Sequence, residues 1–209
     1  QANALVNAGI DFAPEDSVTL ATSQATGTHL STSLKDLQKL GVDTVLVAGA
    51  TEATPVGLTV DFGSLSDGQG LNAVGLPIFG DINHDGVLSD AENAALNVTL
   101  NIAGDANTIA QEIGNVADLA QQLHSSGIDY ININGANSGS VTISDAQAQD
   151  LVAAGLAFSS GGAATPFLNN DGSPNVTTTH DHVTLATSQA TGTHLSTSLK
   201  DLQKLGVED

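Results

Sequence analysis

Four segments of the chain share one alternation of apolar and polar positions: a short stripe at helical spacing, a glycine, then a run of strand-forming residues. They are Leu5 to Phe12 (LVNAGIDF), Leu34 to Val47 (LKDLQKLGVDTVLV), Val116 to Ile133 (VADLAQQLHSSGIDYINI) and Leu151 to Phe158 (LVAAGLAF). Leu34, Leu37 and Leu40, or Val116, Leu119 and Leu123, recur every three or four residues, so each set forms one apolar face of a helix. Gly9, Gly41, Gly127 and Gly155 stand where a left-handed residue closes a helix, a conformation that glycine adopts without steric cost. Strands are also expected ahead of helices, at Val18-Thr19-Leu20, Val98 to Ile102 and Val141-Thr142-Ile143. Ser144 followed by Gln147 reads as a capping box, and Asn134 to Ser140 (NGANSGS) as the turn between units. The pattern predicts an α/β fold of repeated strand–helix–strand modules in an elongated tandem array.

Above this short period lies a long one. Val18 to Val42 reads VTLATSQATGTHLSTSLKDLQKLGV, and Val183 to Val207 repeats it letter for letter. Gln1 to Phe12 also parallels Gln147 to Phe158. Cores tolerate many apolar exchanges, so packing does not demand identity over such a length, and recent copying of the coding sequence explains it better. The expectation is a chain cut from a longer array of such units. Five segments follow: modules at 1–50 and 113–158, a module with a metal-binding loop at 51–112, a Gly/Ser/Thr/Asn-rich linker at 159–182, and the start of the next copy at 183–209.

Composition narrows what the array does. The formal net charge is −19, with no arginine and with all four lysines (Lys35, Lys39, Lys200, Lys204) inside the duplicated segment. No basic stripe exists to neutralise phosphates, which argues against nucleic acid as a partner. No apolar run approaches the ~20 residues needed to cross a bilayer, so membrane insertion is not expected. Cysteine is absent, which removes disulfides and thiolate metal sites. The carboxylate excess attracts divalent cations.

One stretch gives that attraction a definite address. Asp81 to Glu92 reads DINHDGVLSDAE and resembles the EF-hand calcium loop at each diagnostic position. Asp81, Asn83 and Asp85 take the first three ligand positions, Gly86 the sharp turn, and Val87 the backbone carbonyl ligand. Ser89 ligates directly or through water, and Glu92 is the bidentate ligand; Leu88 packs inward and Ser89 caps the following helix. The expected cofactor is Ca²⁺. The resemblance is to dockerin-type and other bacterial extracellular single loops. An entering helix is not evident in LNAVGLPIFG, and Asn170-Asp171-Gly172 is only a fragment of a second loop. An unpaired loop implies a dissociation constant of roughly 10⁻⁴ to 10⁻³ M.

Weaker candidates are His180-Asp181-His182 for a transition metal, Asp61 and Asp67 as added calcium ligands, and the glycosylation patterns at Asn97-Val98-Thr99 and Asn175-Val176-Thr177. His29 and His194, the same repeat position, read as surface residues. No nucleophile elbow, phosphate-cradling loop, HExxH helix or dinucleotide fingerprint occurs, and the chain is not expected to be an enzyme.

The motifs VT(I/L), AQAQ-x-LVxAG and SLKDLQKLGVD resemble repeats of large type-I-secreted bacterial surface proteins of the RTX/adhesin kind. That resemblance implies export in one step, calcium-dependent rigidification outside the cell, and a role as adhesin, biofilm-matrix fibre or surface layer. The expected partners are neighbouring copies of the same protein, with cell-surface polysaccharide as a further one. The alternative is a dockerin-like binding module of a secreted polysaccharide-degrading assembly.

Overall fold

Residues 1–13, 16–22, 28–63, 70–133, 140–159, 182–186 and 195–207 are described by the computed structural model. In chain order the elements are α1 (Ala2–Ala8), β1 (Thr19–Thr22), β2 (Thr28–Leu30), α2 (Leu34–Leu40), β3 (Thr44–Val47), β4 (Val56–Asp61), β5 (Ile78–Phe79), α3 (Asp90–Ala95), β6 (Leu96–Ile102), α4 (Ala106–Asp118), α5 (Ala120–Ser125), β7 (Ile128–Ile133), β8 (Ser140–Ser144), α6 (Asp145–Ala154), β9 (Ala157–Phe158), β10 (His182–Ala186) and α7 (Leu199–Leu205). The class is mixed α/β, as the periodicity predicts. All the ladders between these strands are parallel.

Three sheets result, ordered β1-β3-β5, β2-β4-β6-β7-β9 and β8-β10. Within each, the order along the sheet is the order along the chain. Through β6 the chain alternates between the first two sheets, adding one strand to each in turn. Parallel sheets are covered on both faces and so draw on nearly continuous apolar strands. Leu58, Val60, Val98, Leu100, Ile102, Ile128, Ile131 and Phe158 are accordingly no more than 1% exposed. One core cluster runs from Leu30 to Leu205, so the segments 1–50, 51–112, 113–158 and 183–209 all contribute to it.

Local signals place the helices. Gly41, Gly155 and Gly206 end α2, α6 and α7 in the left-handed region, and Gly9 ends α1 the same way. Ser144 and Gln147 form the expected capping box on α6. The apolar stripe Leu34, Leu37 and Leu40 is buried. Two expectations need correction. The residues after Gly9 form no strand; instead the Phe12 N–H donates to the Leu40 carbonyl at the end of α2 (3.0 Å). The helix expected from Val116 starts earlier, where Asp105 caps Ala106, and breaks at Leu119 (φ −110°, ψ 13°) into α4 and α5. Val116 and Leu123 lie on either side of this break and both remain fully buried.

The first strand and the helix of the duplicated segment recur in both copies, as β1 and α2 and as β10 and α7. Ser33 and Ser198 cap α2 and α7 through the N–H groups of Asp36 and Asp201. Helix α1 packs on α2 as α6 packs on α7. The turn at 134–139 and nearly all of the linker at 159–182 lie outside the described residues.

A polar row crosses the five-stranded sheet in register. The Asn101 amide donates to Asp61 Oδ1 (2.6 Å), the Asn132 amide to Asn101 Oδ1 (2.8 Å), and the Ser159 hydroxyl to Asn132 Oδ1 (3.4 Å). His29 Nε2 closes the row 3.0 Å from Asp61 Oδ1. The adjoining register is an apolar row, Val60, Leu100, Ile131 and Phe158. The sheet therefore stacks like on like.

Candidate metal centre

The twelve-residue segment Asp81 to Glu92 runs from just after β5 into the first turn of α3. Its backbone is organised by its own side chains. Asp81 Oδ2 accepts from the Gly86 N–H (3.0 Å), Asn83 Oδ1 from the Asp85 N–H (3.0 Å), and Asp85 Oδ1 from the Val87 N–H (2.9 Å). Side chains at the first, third and fifth positions thus fold the chain around a common centre. Gly86 takes φ 80°, and His84 takes φ 57°, where a residue with a Cβ is strained. Such strain persists when the surroundings over-determine it, and it concentrates at ligand-binding loops.

Asp81 is the buried anchor. It is 1% exposed, and its second oxygen, Oδ1, has no hydrogen-bond partner. A buried carboxylate oxygen left without a donor is costly, and a cation is one way to satisfy it. Asn83 and Asp85 are exposed, so the donor set mixes one buried oxygen with oxygens open to solvent. Hard oxygen donors of this kind suit calcium.

Glu92 is held by the loop from the opposite side. Its Oε1 accepts from the Ile82 N–H (2.9 Å) and its Oε2 from the Ser89 hydroxyl (2.7 Å) and N–H (3.0 Å). The Ser89 hydroxyl and N–H, together with the N–H groups of Ile82 and Asn83, keep its pKa below the usual glutamate value. Ser89 in turn accepts from the Glu92 N–H, which completes a capping box on α3. Among the described residues no three His, Asp or Glu side chains converge as a preformed metal cluster. Asn83, Ser89 and the Val87 carbonyl are the loop's remaining oxygen donors.

The rest of the core fixes the loop from beneath. Phe79 donates its N–H to the Ser126 carbonyl (2.8 Å), tying the loop's entry to the end of α5. Half-buried Leu88 packs over Gly127, where an added Cβ would lie 2.9 Å from both Leu88 Cδ1 and the Phe79 oxygen. The element that enters the loop is strand β5, and this sets it apart from a helix–loop–helix pair.

The other candidates divide. Asp61 is taken by Asn101 and His29, so its carboxylate serves the polar row. His29 is half exposed, as expected of a surface residue, but its pairing with Asp61 was not foreseen. Thr99 of the Asn97-Val98-Thr99 pattern lies in central strand β6 and is 4% exposed, and Asn97 itself is half-buried. Asp67, Asn175 to Thr177, His180, Asp181 and His194 lie outside the described residues, as does the side chain of His182. Sequence reasoning missed Glu112, 2% exposed on α4 with Oε2 unpartnered. Burial raises its carboxyl to about 7 against the opposing pull of Lys35. Burial likewise lifts Asp129 to about 6, opposed by the Val98 N–H and His124. Comparison with protein-family models, curated proteins and solved structures finds no match to this chain.

Proposed function

We propose that this chain is a calcium-stabilised structural repeat of a secreted cell-surface protein, associating with its neighbours through its repeats. The observation that carries the calcium part is Asp81: a buried carboxylate with one oxygen on the Gly86 N–H and the other without a donor, inside a loop of calcium-ligand spacing. Asp81, Asn83, Asp85, the Val87 carbonyl, Ser89 and Glu92 would hold the ion. Calcium would neutralise the loop's carboxylates and fasten β5 to α3. Binding energy gained only in the folded state adds to folding energy, so export into millimolar calcium would complete the fold outside the cell.

The structural part rests on the letter-for-letter duplication and on sheets whose strand order follows the chain, which suit an elongated tandem array. A stalk, a matrix fibre and a surface layer are all built from such units. Thermal unfolding with calcium and with EDTA tests the reading. With calcium at ten times its dissociation constant the folded state should gain about 1.4 kcal/mol. A melting temperature indifferent to both additives would remove calcium from the account.

A further inference from the structure

Helix α5 presents an uncharged polar face. Ala120 and Leu123 are buried in the core, which leaves Gln121, Gln122 and Ser125 exposed. Spacings of four residues, Gln121 to Ser125 and Gln122 to Ser126, set these groups one turn apart on the same side of the helix. They line a cleft of about 360 Å³, within the range of about 300–1,000 Å³ typical of small-molecule sites. Ala73, Gly75 and Leu76 line it as well, together with Gly86 of the Asp81–Glu92 loop. A Cβ added at Gly75 or at Gly86 would meet no atom within 4 Å, so both backbones border open space.

The walls of the cleft are held by bonds made elsewhere. Gln38 on α2 clamps the segment before Gly75: its amide donates to the carbonyls of Asn72 (2.8 Å) and Val74 (2.9 Å), and its oxygen accepts from the Asn72 N–H (3.0 Å). The Ser126 hydroxyl donates to the Leu123 carbonyl (2.8 Å), and the Ser126 carbonyl accepts from the Phe79 N–H (2.8 Å). Among the described residues the side chains of Gln121, Gln122 and Ser125 have no hydrogen-bond partner. A fixed frame thus carries free donors and acceptors, which is the arrangement that lowers the cost of ordering a site around a ligand.

The chemistry of the lining selects the ligand. None of the lining residues is charged, in a protein whose formal net charge is −19. His124, the titratable residue of α5, lies instead where a Cβ on Gly155 would meet its ring at 3.6 Å. An ion would find no counter-charge in the cleft, so the ligand is neutral. No aromatic ring lines it, so a flat base has nothing to stack on. The neighbouring edge of β5 is occupied by the Phe79 bond to Ser126, so a peptide cannot add there as a strand. Amides and hydroxyls beside aliphatic surface remain, and they match a molecule that alternates hydroxyl groups with C–H surface. Val74 and Val87, 85% and 68% exposed, each adjoin a lining residue in the chain and extend the aliphatic part. We propose that this cleft binds a neutral saccharide chain, with Gln121, Gln122 and Ser125 bonding its hydroxyls and Leu76 meeting its C–H face. The proposal does not depend on calcium occupancy of the loop.

Amide chemical shifts of the isotope-labelled full chain, titrated in calcium with maltohexaose, cellohexaose and chitohexaose, test the proposal. With at least one of these neutral hexasaccharides, shifts should centre on Gln121, Gln122, Ser125 and Gly86 and include the side-chain amides of the glutamines. Gln122→Ala and Ser125→Ala should each weaken that binding about two- to tenfold, the loss expected for one hydrogen bond. Ser125→Tyr, which sets a ring in the cleft, should abolish it; unchanged melting temperatures show that each variant is folded. Amides that stay unmoved by all three sugars at about 10 mM would overturn the proposal, as would shifts confined to other surfaces. Variants that bind like the wild type would also overturn it. A neutral Gly-Ser peptide that moves the same amides at lower concentration than any sugar would assign the cleft to a protein partner and overturn the saccharide. Melts with calcium and with EDTA on the same samples report the loop separately, so failure of sugar binding and failure of calcium binding are told apart.

Discussion

The side-chain amide of Asn132 donates to the side-chain oxygen of Asn101 across β7 and β6 over 2.8 Å, and Asn101 passes the same relation on to Asp61 over 2.6 Å. Asn101 is 7% exposed, so both of its polar ends are satisfied by neighbours in the row. Replacing it with alanine leaves the Asn132 amide without its acceptor, while half-exposed Asp61 keeps His29. Asn101→Ala should cost about 1–3 kcal/mol, the range for leaving buried polar groups unpaired. Urea denaturation gives the value, and a cost near zero would show that the row is decorative.

The two duplicates provide a matched pair for core energetics. Leu34→Ala removes a fully buried side chain and should destabilise by about 2–5 kcal/mol. Leu199→Ala, at an 80% exposed position of the same helix sequence with the same serine cap, should stay within about 0.5 kcal/mol in the monomer. Equal losses in denaturant titrations would mean that the second copy is covered in solution.

Calcium stabilisation separates from helix capping at Glu92. In Glu92→Gln the side chain can still accept from backbone N–H groups, as Gln147 does on α6, but it loses the charge and the bidentate carboxylate. An amide keeps only one acceptor oxygen where both carboxylate oxygens of Glu92 accept, so the variant should be less stable than the wild type in EDTA, and it should gain little or nothing when calcium is added. Asp81→Asn should lose the calcium response as well. Calorimetry of both variants with and without calcium checks this, and an undiminished response in Glu92→Gln would remove that residue from the ligand set.

Acidity should act in two windows. Glu112 and Asp129 have folded pKa values raised by burial, to about 7 and about 6, from 4.5 and 3.8. Between the unfolded and folded values the folded protein binds more protons, so stability is highest at the acid side of this window and falls as pH rises through it. Glu92, Asp105 and Asp145 are shifted down by hydrogen bonds, Asp145 to about 2 through the hydroxyl and N–H of Ser196. Their contribution is present above the unfolded values and is lost as pH falls further. Calcium-free protein should therefore be most stable near about pH 4 to 5, with Glu112→Gln flattening the decline toward neutrality. Melting temperatures across pH for both proteins measure it.

The parts legible in the sequence are those fixed within a few residues. Gly41 and Gly155 end helices because the left-handed turn is local chemistry, and Ser144 with Gln147 is a cap three residues long. The spacing of Asp81, Asn83, Asp85 and Gly86 also speaks for itself, since the loop's hydrogen bonds span no more than ten residues. The polar row was hidden because Asp61, Asn101, Asn132 and Ser159 lie far apart in sequence and meet only through strand register. In retrospect each follows a buried apolar residue (Val60, Leu100, Ile131, Phe158), a signal readable only once the strands are aligned. The break at Leu119 and the burial of Glu112 depend on what packs against α4, which periodicity along one helix does not reveal.

Because each strand of the five-stranded sheet pairs with the next one added to that sheet, the molecule can be laid down in one direction. Residues emerging first from a narrow exit find their partners among those that follow shortly after. None waits for the far terminus to arrive, as the outer strands of a Greek key must. Closing such modest loops costs little additional entropy at each step. For a chain threaded through an export channel from one end, folding would then proceed at the pace of emergence, and each completed layer would hinder the chain from sliding back.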